Sequence, residues 1–131
     1  MPESIVIAAA RRTPIGGFQG IFSPVSATQL GSVAAAAALA DSGLAPDTID
    51  EVIFGCVLPA GLGQAPARQA AVGAGIALSV PATTVNKMCG SGMKAVMFAS
   101  DQLRAGSAGV ILAGGLESMT NAPYLMLKAR A

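Results

Sequence analysis

Apolar residues along this chain come in short runs with two kinds of spacing, and turn residues mark most of the changes from one to the other. The run "SIVIAAA" (4 to 10) is apolar after its serine, partly β-branched and closed by the polar "RRTP", which predicts a first strand buried on both faces. "SATQ" (26 to 29) has the form of a capping box and Gly43 supplies a stop, so residues 27 to 42 are predicted as a helix. Its middle, "AAAAALA", lets another element approach closely, because alanine adds almost no width. "EVIFGCVL" (51 to 58) reads as a second strand, and "PARQAAVGAGI" (66 to 76) as a helix with Pro66 in its first turn. "ATTVNKM" (82 to 88) is a third strand. From Gly90 to Ala105 the apolar residues Met93, Val96, Met97 and Leu103 recur at helical spacing, and Gly106 ends that helix. "GVILAGG" (109 to 115) is a fourth strand. Alternating strands and helices predict a layered α/β domain with a largely parallel sheet and helices on both faces.

Composition adds a demand for cover. Hydrophobic residues make up 53% of the 131 and charged residues 11%, where a typical soluble domain has about a quarter charged. So apolar a surface is expected to lie against a partner subunit or a further stretch of chain. The membrane is a poor alternative, since "SVAAAAALA" and "AGVILAGGL" are far shorter than the roughly 18 to 20 residues of a spanning helix. A net charge of +1 without any basic run gives no reason to expect nucleic acid or an anionic membrane as partner. The N-terminus "MPESIVIAAARRTP" carries Glu3 early and its arginines late, the reverse of a secretory signal. Two cysteines without CxxC spacing, and no histidine, make neither a metal site nor a disulfide framework. Reduced thiols in the cytoplasm are the expectation. The tail "NAPYLMLKARA" completes no element, so the fold is expected to continue beyond it.

Cys89 is the residue with candidate chemistry. In "VNKMCGSGMKAV" it stands between a strand and a helix, with glycines one and three positions later. Unpaired amides and the dipole at a helix N-terminus favour an anion by ~0.3 to 1 kcal/mol, so the location suits a thiolate. A nucleophilic cysteine usually also has a base, most often histidine, which this chain lacks. Lys87 offers a positive charge nearby, although a lysine at a strand end is commonly just solvated. Gly90 and Gly92 clear side chains from the approach of a carbonyl and leave backbone N–H groups for an oxyanion. On spacing alone, a packed core cysteine with glycines for close strand-helix contact fits as well. Cys56, inside an apolar strand, reads as packing. Glu117 in "GGLESM" reads as a buried acid that anchors a loop or orients catalytic groups, the anchoring role being the simpler. "GLGQAP" and "GAGIAL" lack the third glycine of a dinucleotide fingerprint.

Taken together, "MCGSGMKAV" (88 to 96), "ARRTPIGGFQG" (10 to 20), "GLGQAPARQAA" (61 to 71) and "AGGLESMTNAPYLM" (113 to 126) resemble the thiolase family, its acetyl-CoA acetyltransferases in particular. The four motifs fall in family order over essentially the whole chain. The resemblance implies a layered thiolase-like fold with a mixed sheet, residues 1 to 118 forming the nucleophile-bearing N-terminal domain and 119 to 131 beginning a loop domain, with the C-terminal half absent. It implies that Cys89 carries an acyl group as a thioester and that its backbone N–H helps bind the oxyanion. The implied reaction joins two acetyl-CoA into acetoacetyl-CoA and coenzyme A, or the reverse. Coenzyme A thioesters are then substrates, and no tightly bound cofactor or metal is expected. In the family a histidine and a second cysteine from the C-terminal half complete the site, and Cys56 does not match that second cysteine's motif, so this chain alone is expected to be inactive. Residues that contact coenzyme A are not assigned. The family also implies a homodimer or homotetramer, paired through the strand near residues 83 to 88. Broader 3-ketoacyl-CoA thiolases, ketoacyl synthases and a non-catalytic folding or dimerisation module are the alternatives. "RRTPIGGFQG" and "GGLESM" favour thiolase over synthase.

Overall fold

The computed structural model describes residues 4–130, so Met1, Pro2 and Glu3, read above for a leader, lie outside the described residues. The capping box forms as expected and opens α1, Ala27–Ser42. Ser26 Oγ accepts the Gln29 N–H at 3.2 Å, and Gln29 Oε1 accepts the Ser26 N–H at 2.9 Å. Gly43 ends the helix at φ +69°, a left-handed conformation that glycine enters without a Cβ clash. There follow β1, Glu51–Gly55; α2, Pro66–Gly73; β2, Ala82–Val85; α3, Ser91–Ala105; and β3, Ile111–Gly115. Each strand leads through a helix to the next, and all pairings among the described residues are parallel, in the order β2-β1-β3.

The central strand organises the core because its side chains alternate between faces. Val52 and Phe54, with Cys56 just beyond the strand, join α1 and α2 through Ala35, Leu39, Ala67, Ala70 and Ala71. Ile53 points the other way, onto Ala95 and Ala99 of α3. Full burial of side chains such as Val52, Ile53 and Phe54 is worth about 1.5 to 3 kcal/mol each. The two helices on the first face approach closely, at Gly31 and Ser32 just before the alanine run. A Cβ added at Gly31 of α1 would lie 2.7 Å from Leu116 Cδ2 and 3.2 Å from the Ala70 Cβ.

Four expectations need correction. Residues 4 to 10 form no strand, and the sheet of the described residues has three strands where four were expected. Strand preference depends on a neighbour that completes the ladder; among the described residues no strand lies alongside this run, and Val6 and Ile7 are 76% and 81% exposed. On α3 the stripe that packs is Ser91, Ala95 and Ala99, whereas Met93, Val96 and Met97 face outward. Small residues win that face because the helix lies tight on glycine-bearing strand ends. The predicted strand 82 to 88 stops at Val85, since Asn86 begins a turn, and the helix from Pro66 stops at Gly73, two residues before Gly75 at φ +87°. Among the described residues no helix is long and apolar enough to cross a membrane.

Candidate active site

The chain turns sharply from β2 into α3, and Cys89 sits at the turn. Asn86 Oδ1 accepts the Met88 N–H at 2.9 Å, an Asx-type turn that holds Met88 at φ +50°, where residues other than glycine are seldom found. The Met88 carbonyl then accepts from the Ser91 N–H at 3.0 Å and from the Ser91 hydroxyl. Ser91 Oγ in turn accepts the Lys87 N–H at 2.9 Å, and Ser91 is buried. The loop is therefore closed by polar bonds on both sides of Cys89. Its thiol is exposed, directly before the first turn of α3.

Cys89 lines an open cleft of about 290 Å³ at the carboxyl ends of β1 and β3, whose other walls include Val57, Leu116 and Glu117. Ligands of open parallel sheets characteristically bind at such strand ends. Glycine makes the close approach of α3 possible. A Cβ on Gly55 would meet the Ser91 carbonyl carbon and lie 2.6 Å from both Gly92 N and Ser91 Cβ. Gly90 and Gly92 differ, because a Cβ on either meets nothing nearer than 3.5 Å and 3.7 Å respectively. Packing tolerates a methyl group at both, and of the two it is Gly92 that lines the cleft and leaves it open. The N–H groups of Cys89 and Gly92 meet no acceptor among the described residues, which leaves them for an oxyanion.

Glu117 ties the cleft together from the far side. Its carboxylate accepts the Val57 N–H at 2.8 Å and the Leu58 N–H at 2.9 Å, and Cys56 Sγ lies 3.7 Å from Oε1. Of the two readings of Glu117, the loop anchor is thus realised, between chain segments some sixty residues apart. Cys56 is buried, and burial together with the Glu117 charge and hydrogen bond pushes its thiol up to about 11. It remains a thiol at neutral pH and does not line the cleft, in keeping with its reading as packing. Lys87 is exposed and does not line the cleft either. Asn86, Ser91, Gly55 and Gly115 were not singled out from the sequence. Only Asn86 carried a signal, an asparagine two residues before a bulky residue at a strand end.

The raised Cys56 pKa makes stability depend on pH. A thiol titrating near 9.0 in the unfolded chain and near 11 in the fold favours folding fully below pH 9, and that contribution is lost as pH rises through 11. We expect about 2 kcal/mol of it to be gone by pH 10.5. Denaturant melts at pH 8 and pH 10.5 check this: Cys56→Ala lacks that component of the fall.

An exposed thiol before a helix, free amides beside it and an open cleft at parallel strand ends are the parts of an acyl-transfer site built on a layered α/β fold. The family model "Thiolase, N-terminal domain" matches residues 5–131, and the chain belongs to the thiolase family. It is 56% identical over 124 residues to acetyl-CoA acetyltransferase B, mitochondrial, of Xenopus laevis, an alignment that covers 95% of this chain and 30% of that protein. It is 54% identical over 129 residues to acetyl-CoA acetyltransferase 2 of Arabidopsis thaliana, with 98% and 32% covered. Against the mitochondrial acetyl-CoA acetyltransferase of Homo sapiens the identity is 50% over 124 residues, with 95% and 29% covered. The chain thus spans about 30% of the length of these curated relatives.

Proposed function

We propose that this chain supplies the nucleophile of an acetyl-CoA acetyltransferase, and that Cys89 is that nucleophile. The observation that carries the reading is the placement of Cys89, an exposed thiol at the turn into α3 with its own N–H and that of Gly92 unclaimed. The Cys89 thiolate attacks the carbonyl carbon of acetyl-CoA, and the carbonyl electron pair moves to oxygen, where the free amides meet it. Collapse expels coenzyme A as its thiolate, leaving acetyl-Cys89. A second acetyl-CoA, deprotonated at its methyl carbon, then attacks this thioester to give acetoacetyl-CoA and frees the cysteine. The reverse direction is thiolysis. The chain has no histidine to serve as base, so its own share is acyl capture and release. The names of the relatives support acetyl-CoA as the acyl donor.

Two further points belong to this proposal. The edge of β2 away from β1 is unpaired among the described residues, and a parallel ladder that turns the Thr83 and Val85 N–H groups toward β1 turns those of Ala82 and Thr84 outward. Such an edge suits pairing with a second copy through residues 83 to 85, the part of the expected stretch 83 to 88 that is a strand. Cys56 and Cys89 are both unpaired thiols, which suits a reducing compartment such as the cytoplasm.

The function is tested by exchange of isotopically labelled coenzyme A into acetyl-CoA. This half-reaction forms no carbanion, so Cys89 carries it, slowly because the chain has no histidine to assist. We expect slow exchange with the chain, abolished in Cys89→Ala and retained in Cys56→Ala; exchange that survives loss of Cys89 contradicts the reading.

A further inference from the structure

The bonds that hold Cys89 form one connected path back to Glu117. Glu117 accepts from the Val57 and Leu58 amides, the Val57 carbonyl accepts Asn86 Nδ2 at 3.3 Å, and Asn86 Oδ1 accepts the Met88 N–H at 2.9 Å. Met88 is thereby held in a conformation unfavourable for an L-residue. Ser91 completes the path on the other side by donating its hydroxyl to the Met88 carbonyl. That carbonyl and the Cys89 N–H belong to one planar peptide unit and point in opposite directions. Whatever fixes the Met88 carbonyl therefore aims the Cys89 N–H.

We propose that Asn86, Ser91 and Glu117 are positioning residues for acyl transfer, acting through the Met88–Cys89 peptide to aim the Cys89 N–H at the oxyanion. None of them needs to touch the substrate. Asn86 and Ser91 set the peptide directly, and Glu117 acts one step further back by holding the segment that Asn86 leans on. The inference rests on the reading of Cys89 as nucleophile, and the experiment separates the two.

Two rates are measured at Cys89 on the intact chain. With phenyl thioacetate the thiolate displaces thiophenolate, forming one C–S bond and breaking another through an oxyanion. With iodoacetamide it displaces iodide in a single step that develops no oxyanion. Mispositioning of the N–H lowers the first rate without lowering the second, whereas general loosening of the fold changes both together. We expect the ratio of acylation to alkylation to fall about tenfold in Asn86→Ala and in Ser91→Ala, the factor of one lost hydrogen bond, and about threefold in Glu117→Gln. Asn86→Asp keeps the oxygen that the Met88 N–H needs but gives up the Nδ2 donor to the Val57 carbonyl, so its ratio is expected to fall about threefold, as in Glu117→Gln. Adding Met88→Gly to Asn86→Ala removes the penalty on positive φ and is expected to recover about threefold. A ratio unchanged in all three primary variants, or no recovery on adding Met88→Gly, overturns the proposal. If Asn86→Ala fails to fold by circular dichroism, the ratios in Glu117→Gln and Asn86→Asp decide by the same criterion. Failure of the wild-type Cys89 to acylate at all overturns instead the reading of Cys89 as nucleophile.

Discussion

Replacing Gly55 by alanine is expected to destabilise the chain by about 2 to 3 kcal/mol. The added methyl group would sit 2.6 Å from Gly92 N and from Ser91 Cβ, and nearer still to the Ser91 carbonyl carbon. Two of these three are backbone atoms, so no rotamer change relieves the overlap and the first turn of α3 must lift away from β1. That movement also strains the bonds of Ser91 to Lys87 and Met88. Gly92→Ala is the control, because its Cβ would meet the Gly114 carbonyl at an ordinary 3.7 Å. It should fold almost as well as wild type while narrowing the cleft beside Cys89. Thermal unfolding of both checks the contrast: a drop of roughly 8 to 12 °C is expected for Gly55→Ala and little for Gly92→Ala. Equal melting temperatures would mean that the contact between β1 and α3 is looser than described.

Alkylation at pH 8 is expected to label Cys89 at least about a hundredfold faster than Cys56. Cys56 is 1% exposed and its thiol is pushed up to about 11, so at pH 8 only about one molecule in a thousand carries it as thiolate. Access reduces the rate further, since a reagent reaches it only when the structure opens. Cys89 stands open at the cleft. Peptide mapping after brief iodoacetamide treatment reads the ratio directly. In Glu117→Gln the carboxylate charge beside Cys56 is gone, so its labelling should accelerate as its pKa falls toward the ordinary range. Comparable labelling of both cysteines in wild type would contradict the burial of Cys56.

Much of this architecture was legible because its signals are local. Ser26, Gln29 and Gly43 bound α1 through contacts within a few residues, and the structure reproduces that helix from Ala27 to Ser42. Cys89 was legible for the same reason, as a cysteine at a strand-to-helix turn followed by glycines. Residues 4 to 10 misled because their β-branched content states a preference that only a partner strand can realise. The apolar stripe of α3 misleads in the opposite sense: its large side chains suggest burial, yet Ala95 and Ala99 are the residues that pack against Ile53. Long-range polar contacts were out of reach. Nothing near Val57 announces that its N–H is claimed by Glu117 across sixty positions, nor that Gly55 must be bare for the sake of Ser91. The exposed Val6, Ile7, Phe18 and Leu125 bear out the surface that composition foretold, with apolar area left uncovered by the described residues.

Whether Cys89 carries the acyl group is decided by locating the acetyl group after incubation with acetyl-CoA. One acetyl per chain is expected, on the peptide that contains Cys89, removed by added coenzyme A and absent in Cys89→Ala. Acetylation confined to Cys56 or to lysine, or an acetyl group that persists in Cys89→Ala, would contradict it.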